Sequence, residues 1–296
     1  NKAHRIFALC PSLERIIIYD RSVRISTHDP NALYFDDFIK LGANLPRQSE
    51  VEALWTQASM DDVCDILYTS GTTGDSKGVI LTYSQYDAAF KANNICVPVR
   101  EKDRVIDFLP FTHIFERGWA YLCLTEGACM IVNTYPKEVQ ESMKETHPTC
   151  MCSVPRFWEK VYIAVKDKID RSSALQRKLF RHALAVGHKR NVSCKGRGKH
   201  VPIALELQYQ FFDRTVLSLV RKQIGLVHPN IFPTAGAYVS PEVESFVHSV
   251  GIDMIVGYGL TESLATVSCD YKDQPFTIGS VGRPIQGIQI KIGANN

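Results

Sequence analysis

The stretch of this chain most equipped for chemistry is YTSGTTGDSKGV, residues 68 to 79. Glycines let backbone N–H groups close on an anion, the serines and threonines add donors, and Lys77 brings a point charge. Phosphate is the ligand that this combination suits. A hydrogen bond to a charged group is worth roughly 1.5–3 kcal/mol, about twice a neutral one. The loop is not the phosphate loop of the common ATPases, which reads G-x-x-x-x-G-K-[ST]. Counted from Gly71, Ser76 stands where that motif has its second glycine, and Gly78 where it has its hydroxyl. The spacing G-x-G-x-x-G is absent too. A plain turn between strands is the bland reading, and it would need few of these hydroxyls.

A second stretch, GYGLTES at 257 to 263, supplies complementary groups. Glu262 lies beside Thr261 in a glycine-containing turn after an apolar strand. A carboxylate there offers magnesium a hard oxygen ligand, and Tyr258 offers a purine a flat face. Alone, a glutamate in a turn is most often merely solvated. Paired with the loop at 69 to 78, it makes a nucleotide site in which one side gathers phosphates and the other supplies metal and base contacts.

Alternating strands and helices must position these turns. HRIFALCPSLER reads as a helix feeding the strand IIIYD, and YFDDFIKLGANL as a second helix. Residues 44 to 61 are polar and read as a surface loop. ILYTS and GVILT are strands on either side of the glycine-rich loop, and helical periodicity begins at Tyr83. RVIDFLP, GACMIVNT and the terminal QIKI read as further strands, with ERGWAYLCLTEG helical between the first two. Strands spaced by helices predict an α/β fold with layered, mostly parallel sheets and flanking helices.

Composition bounds the class. The chain has 296 residues, 45% hydrophobic and 22% charged, as a globular protein with a real core does. Net charge is +3, too small to argue for a nucleic-acid partner. Nine scattered cysteines without a C-x-x-C spacing read as reduced, which places the chain in the cytoplasm. No apolar run reaches the roughly 18 residues of a membrane helix. The charge is unevenly spread. Residues 166–200 hold eleven Lys or Arg against Asp167 and Asp170, a local +9 that leaves −6 for the rest. This segment lies within 157–226, mostly between two stretches with helical apolar spacing, FWEKVYIAVKDKI and ALELQYQFFDRTVLSLVRKQIG. It reads either as a solvated helical hairpin or as a surface drawn to anions such as lipid headgroups; each cation near an anionic membrane is worth about 1 kcal/mol.

TSGTTGDSKG, LPFTHIFER, VPRFWEKVY, TAGAYVSPEV, GYGLTES and GSVGRPIQGIQIKI, in this order over nearly the whole chain, resemble the successive motifs of AMP-forming acyl-CoA synthetases. VPRFWEKVY and the helical stretch after it are most similar to the long-chain fatty acid–CoA ligase branch of that adenylate-forming superfamily. The resemblance implies that Thr69, Ser70, Gly71, Thr72, Thr73, Gly74 and Lys77 grip phosphate, and that Thr69 with Glu262 positions magnesium. It places Gly236 and Ala237 along the adenine and acyl pocket, Tyr258, followed by Gly259, on adenine, and Thr261 on the α-phosphate. His113 falls in an aromatic-rich motif near the carboxylate and the pantetheine passage. Lys77, Thr261, Glu262 and His113 are thus the catalytic set. Glu116 and Arg117 are expected to form a structural ion pair. Trp119, Tyr121 and Leu122 are candidates for lining the acyl tunnel.

What the resemblance implies chemically is ATP-dependent activation of a fatty acid as acyl-adenylate, then transfer to coenzyme A, with magnesium assisting. Ser76 departs from the family, which usually has proline before the lysine, but no phosphate donor is lost. Residues 1–296 are expected to be a partial adenylation core with a basic helical insertion at about 157–226. The resemblance implies that the ribose-binding aspartate and the C-terminal lid with its lysine are expected outside residues 1–296, which are not expected to turn over alone. Adenylating ligases for other carboxylates and an idle nucleotide- or lipid-binding module are the competing readings. Amino-acid activators usually carry an acidic partner for the amine, and Phe111-Thr112-His113 offers none.

Overall fold

The computed structural model describes residues 2–26, 28–43, 45–69 and 74–293. The chain divides into two compact units, residues 1–59 and 60–296. In the first unit, helix α1 (Lys2–Leu9) stops just before Pro11, and the β-branched run forms β1 (Ile16–Ile18). It pairs in parallel with β2 (Ala32–Tyr34), Ile17 opposite Leu33. Helix α2 (Phe35–Gly42) follows with Asp36 and Asp37 in its first turn and Lys40 in its last, the order a helix dipole favours. The loop expected at 44–61 is instead mostly a helix, α3 (Gln48–Gln57). None of its residues is buried, so apolar spacing gave no signal. Local pairs hold it: Arg47 to Glu50 and Gln48 to Glu52.

The second unit opens with an antiparallel hairpin of β3 (Val63–Thr69) and β4 (Lys77–Thr82). Helix α4 (Tyr83–Cys96) begins where expected, because Thr82 and Gln85 form a reciprocal capping box. Then come β5 (Arg104–Asp107), α5 (Ile114–Thr125), β6 (Cys129–Val132) and α6 (Val139–Thr146). The basic region folds as α7 (Pro155–Asp170), α8 (Ala174–His188), α9 (Ile203–Phe212) and α10 (Ser218–Ile224), with π-helical turns at Lys189–Cys194 and Asp213–Leu217. The unit ends with β7 (Phe232–Thr234), α11 (Pro241–Ser249), β8 (Met254–Tyr258), β9 (Ser268–Cys269) and β10 (Arg283–Pro284). The strand expected at 289–292 is absent. Nothing among the described residues pairs with it, and Ile290 and Ile292 stand exposed.

Strands β5 and β6 are parallel, as are β7 and β8. Single parallel bridges from Val105 to Cys150, Cys150 to Ile231 and Ser153 to Thr234 set residues 150–153 between β5 and β7. The central sheet is therefore parallel, with β9 and β10 adding an antiparallel edge. Side chains alternate between two cores, as a strand buried on both faces requires. Ile106, Met151, Phe232 and Met254 join Trp158 and helices α7–α11 on one side. Val105, Cys150, Cys152, Ile231 and Ile255 join Trp119 and Leu122 on the other. Helices on both faces of a parallel sheet leave one place for a site: the crevice beyond the strands' carboxyl ends.

Candidate active site

The carboxyl ends of β5, β7 and β8, the turn after residue 153 and the hairpin all open onto one cavity of about 710 Å³. Thr69 and Lys77 reach it from the hairpin and are cross-strand partners in register, so fixing one fixes the other. His113 arrives as the N-cap of α5, Gly236 follows β7, and Gly259, Thr261 and Glu262 follow β8. Seven sequence-predicted site residues, drawn from distant stretches of the chain, thus line a single cavity. Among the others, Tyr258 lies at the end of β8 against an adjoining small cavity of about 60 Å³. Ala237 is exposed and lines neither. Gly74 lines neither, and its φ of +99° is one that glycine alone adopts easily. Ser70, Gly71, Thr72 and Thr73 lie outside the described residues.

The turn that carries Glu262 is built under tension. Thr261–Ser263 is a single 3-10 turn, with the Ser263 hydroxyl accepting from the Leu260 N–H at 3.1 Å. Leu264 and Ala265 follow with φ of 54° and 77°, both in the left-handed region that side-chain-bearing residues avoid. The reversal brings the Ala265 carbonyl so close to Gly259 that a Cβ there would fall 1.2 Å from it. Only glycine fits. Leu260 and Ala265 line the cavity beside these residues, as do Pro110, Phe115, Val154 and Ala235. Sequence reasoning did not single out this apolar set, although all of it except Ala265 lies inside the quoted motifs.

Beneath the His113 segment, the expected Glu116–Arg117 ion pair does not form. Neighbours on a helix point about 100° apart and do not face each other. Glu116 is fully buried, and its Oε1 accepts from the N–H groups of Phe108 (2.8 Å) and Leu109 (3.2 Å). The Cys152 thiol donates to Oε2 at 2.7 Å. Burial pushes Glu116 up to about 7, against the lowering pull of those three donors. Arg117 turns the other way, to Asp65 on β3 and to the Phe111 carbonyl. Beneath Gly236, Trp158 Nε1 donates to Ser153 Oγ (2.8 Å) and Thr234 Oγ1 (3.1 Å), all three side chains being buried. This polar knot joins α7 to the two strands whose ends form the floor.

The small cavity beside Tyr258 shares Phe115, Ala235 and Ala265 with the large one and is lined by Phe90, Val97, Trp119, Leu122 and Ile255. Of the tunnel candidates, Trp119 and Leu122 are here, whereas Tyr121 packs on Tyr86 with ring centroids 5.5 Å apart.

The family model for AMP-binding enzymes matches residues 15–295. The chain belongs to this family. Over 99% of its length it is 28% identical to Long chain acyl-CoA synthetase 3 of Arabidopsis thaliana, of which it covers 44%. Over 81% of its length it is 30% identical to Long-chain-fatty-acid–CoA ligase 1 of Saccharomyces cerevisiae, covering 33% of that protein. The chain thus spans less than half the length of these relatives. Among solved structures it resembles the anthranilate CoA ligase AuaEII in complex with anthranoyl-AMP, with a TM-score of 0.60 at 17% identity, over 96% of this chain and 43% of that one. It also resembles the N-terminal domain of FACL13 from Mycobacterium tuberculosis, with a TM-score of 0.52 at 19% identity, over 88% of this chain and 53% of that one. Likeness at such identity fixes the α/β fold of the AMP-binding enzymes and nothing finer.

Proposed function

We propose that the complete protein is a long-chain fatty acid–CoA ligase that forms acyl-adenylate from ATP and passes the acyl group to coenzyme A. The observation that carries this reading is the single cavity into which Lys77, Thr69, His113, Thr261 and Glu262 converge. The fatty carboxylate attacks the α-phosphorus, the bond to pyrophosphate breaks, and acyl-AMP remains. The thiol of coenzyme A then displaces AMP to give the thioester. No general base is needed for the first step, because the acid is already ionised at neutral pH. Two anions must meet, however, and the Lys77 ammonium offsets their repulsion while Thr261 holds the α-phosphate. Preorganised charges of this kind are worth about 10²–10³-fold each. The Thr69 hydroxyl and the Glu262 carboxylate are hard oxygen donors on one cavity. A lone carboxylate with a hydroxyl suits magnesium, which takes its remaining ligands from water and substrate phosphates. Bound there, magnesium supplies charge neutralisation to the phosphates.

The apolar cavity beside Tyr258 is the start of the acyl route, with Trp119 and Leu122 along it, and Tyr258 meets adenine. Reduced cysteines support a cytoplasmic setting, since all nine are unpaired. No described helix is long and apolar enough to cross a membrane. The basic helices α7 and α8 are proposed to touch an anionic membrane surface. The names of the sequence relatives favour a long-chain acid over the aryl and amino acids that similar chemistry activates. The test is ATP–pyrophosphate exchange by the full-length protein across a ladder of fatty, aryl and amino acids. A maximum at long chains is expected. Flat exchange with every acid overturns the ligase reading in favour of a binding module.

A further inference from the structure

We infer that Arg117 is a positioning residue that ties two walls of the cavity together, so that the hairpin carrying Thr69 and Lys77 and the segment carrying His113 behave as one body. The inference rests on the ligase reading of the same cavity. Arg117 stands one turn into α5, behind its N-cap His113. Its Nε donates to the Phe111 carbonyl at 2.8 Å, and Nη1 pairs with Asp65 Oδ1. Asp65 sits in β3, four residues before Thr69, and its other oxygen accepts from the Tyr86 hydroxyl at 2.8 Å. Tyr86 belongs to α4 and is buried; burial and this acceptor push its hydroxyl far up, so it stays a donor. One carboxylate and one guanidinium thus join β3, α4, α5 and the approach to His113.

The pair is shielded, with Arg117 and Asp65 side chains 23% and 12% exposed, unlike the surface pairs of this chain. Shielding strengthens the interaction and makes loss of one partner costly, since it strands the other charge. Arginine is required by the geometry: its planar fork meets a carboxylate and a carbonyl that lie in different directions, where lysine has a single ammonium. The register of the hairpin carries the restraint further. Thr69 and Lys77 are directly opposed, so holding β3 through Asp65 also holds β4. In adenylation the phosphates lie against the hairpin wall and the fatty carboxylate approaches near His113. A relative shift of about 1 Å between reacting groups costs on the order of 10²-fold.

The experiment compares Arg117→Gln, Arg117→Lys, Asp65→Asn and the Asp65→Asn/Arg117→Gln double variant in the full-length enzyme. Arg117→Gln is expected to lower kcat of pyrophosphate exchange by about 10–100-fold with KM for ATP within about threefold, and Arg117→Lys to recover part of the loss. The double variant should be no more than about threefold worse than the poorer single, because both remove one shared interaction. Hydrogen exchange of amides at 65–69 and 108–113 should quicken together in Arg117→Gln. Activity within threefold of wild type with unchanged amide exchange overturns the inference, and so does a double variant that falls by the product of the singles. A wild type silent with every acid defeats the ligase reading alone, since amide exchange still decides whether Arg117 couples the walls. Should Arg117→Gln fail to fold, Arg117→Lys and Asp65→Asn carry the same comparison.

Discussion

Around the cavity, the polar groups that face a ligand sit on turns and strand ends. Lys77 and Glu262 are exposed, whereas buried hydrogen-bonded groups lie behind neighbouring parts of the wall: Glu116 behind the His113 segment and the Trp158 knot behind Gly236. Helices α7–α10 are organised the other way. Their apolar residues close the larger core, with Phe157, Trp158, Phe180, Leu205 and Leu217 buried, and nine of the eleven cations at 166–200 stand exposed. Only Arg177 and Arg190 are half-buried; Arg190 makes a two-pronged pair with Glu206 over the Tyr209 ring. In the first region position is everything and burial is beneath the site. In the second, the inward apolar face is buried and the charge is left to water, beside apolar side chains such as Leu175, Ile203 and Phe211 that stay exposed.

That contrast predicts opposite responses to substitution. Trp158→Ala removes the largest fully buried side chain and takes the indole donor from the Ser153 and Thr234 hydroxyls, which keep each other as partners. It should cost about 3–5 kcal/mol of stability, read by denaturant unfolding, with lost activity only as a consequence. Lys77→Ala and Glu262→Ala should do the reverse. Each cuts adenylation by about 10²–10³-fold in a pyrophosphate-exchange assay on the full-length enzyme, while the melting temperature stays put. A Lys77→Ala variant that exchanges within threefold of wild type would remove that residue from the phosphate site.

How much of this was readable in the sequence follows from the same division. Lys77 and Glu262 stood out because each comes from a short motif whose side chains do something a packed core does not ask for, whereas His113 and Gly236 were marked only by the family resemblance. A lysine among glycines and hydroxyls at 71–78 is one case, a glutamate in a glycine turn at 257–263 another. Helices α7, α9 and α10 were legible through their apolar period, and β3, β4 and β8 through their apolar runs; α8 lies in the segment whose basic charge was its only signal. Three features were not. Helix α3 has no buried face, so its local polar pairs left no periodic trace. The partner of Arg117 is Asp65, 52 residues away, and no local pattern marks a contact that tertiary packing creates. The π-helical turns at Lys189–Cys194 and Asp213–Leu217 break otherwise helical stretches without a Gly or Pro in either to announce them. The strand imagined at 289–292 shows the converse: an apolar alternation with no neighbour remains irregular.

A subtler asymmetry lies behind the site itself, between two buried acids. Glu116 has three hydrogen-bond donors, whereas neither carboxylate oxygen of Asp107 has a protein partner although the residue is 1% exposed. Burial, reinforced by the nearby Glu116, raises Asp107 from 3.8 to about 8. The folded state therefore prefers the neutral acid. The stabilisation from its proton is whole below about pH 4 and drains away as pH rises through 8. Asp107→Asn, which abolishes the charge, should raise the melting temperature clearly at pH 8 and little at pH 5. Equal shifts at both pH values would show that the carboxyl does not titrate in this range. Glu116 has the same sign with a smaller displacement, so Glu116→Gln should show a narrower difference, partly masked by its lost acceptors.

The gentlest test addresses the basic helices. Lys178, Arg181 and Lys189 lie exposed on and just after α8, far from the cavity in sequence and in no ion pair among the described residues. Reversing all three to glutamate should leave stability within about 0.5 kcal/mol, as surface changes do, and leave pyrophosphate exchange on a freely dissolved acid unchanged. If this face meets an anionic bilayer, each cation near the surface contributes about 1 kcal/mol. Removing three should then weaken partition of the full-length protein onto phosphatidylserine-containing vesicles by at least about tenfold, and added salt should mimic the substitution. A helical face that is merely solvated gives a different result: no partition difference between wild type and variant at any salt or lipid charge. The measurement separates the two readings because it changes charge without touching the apolar packing on which these helices depend.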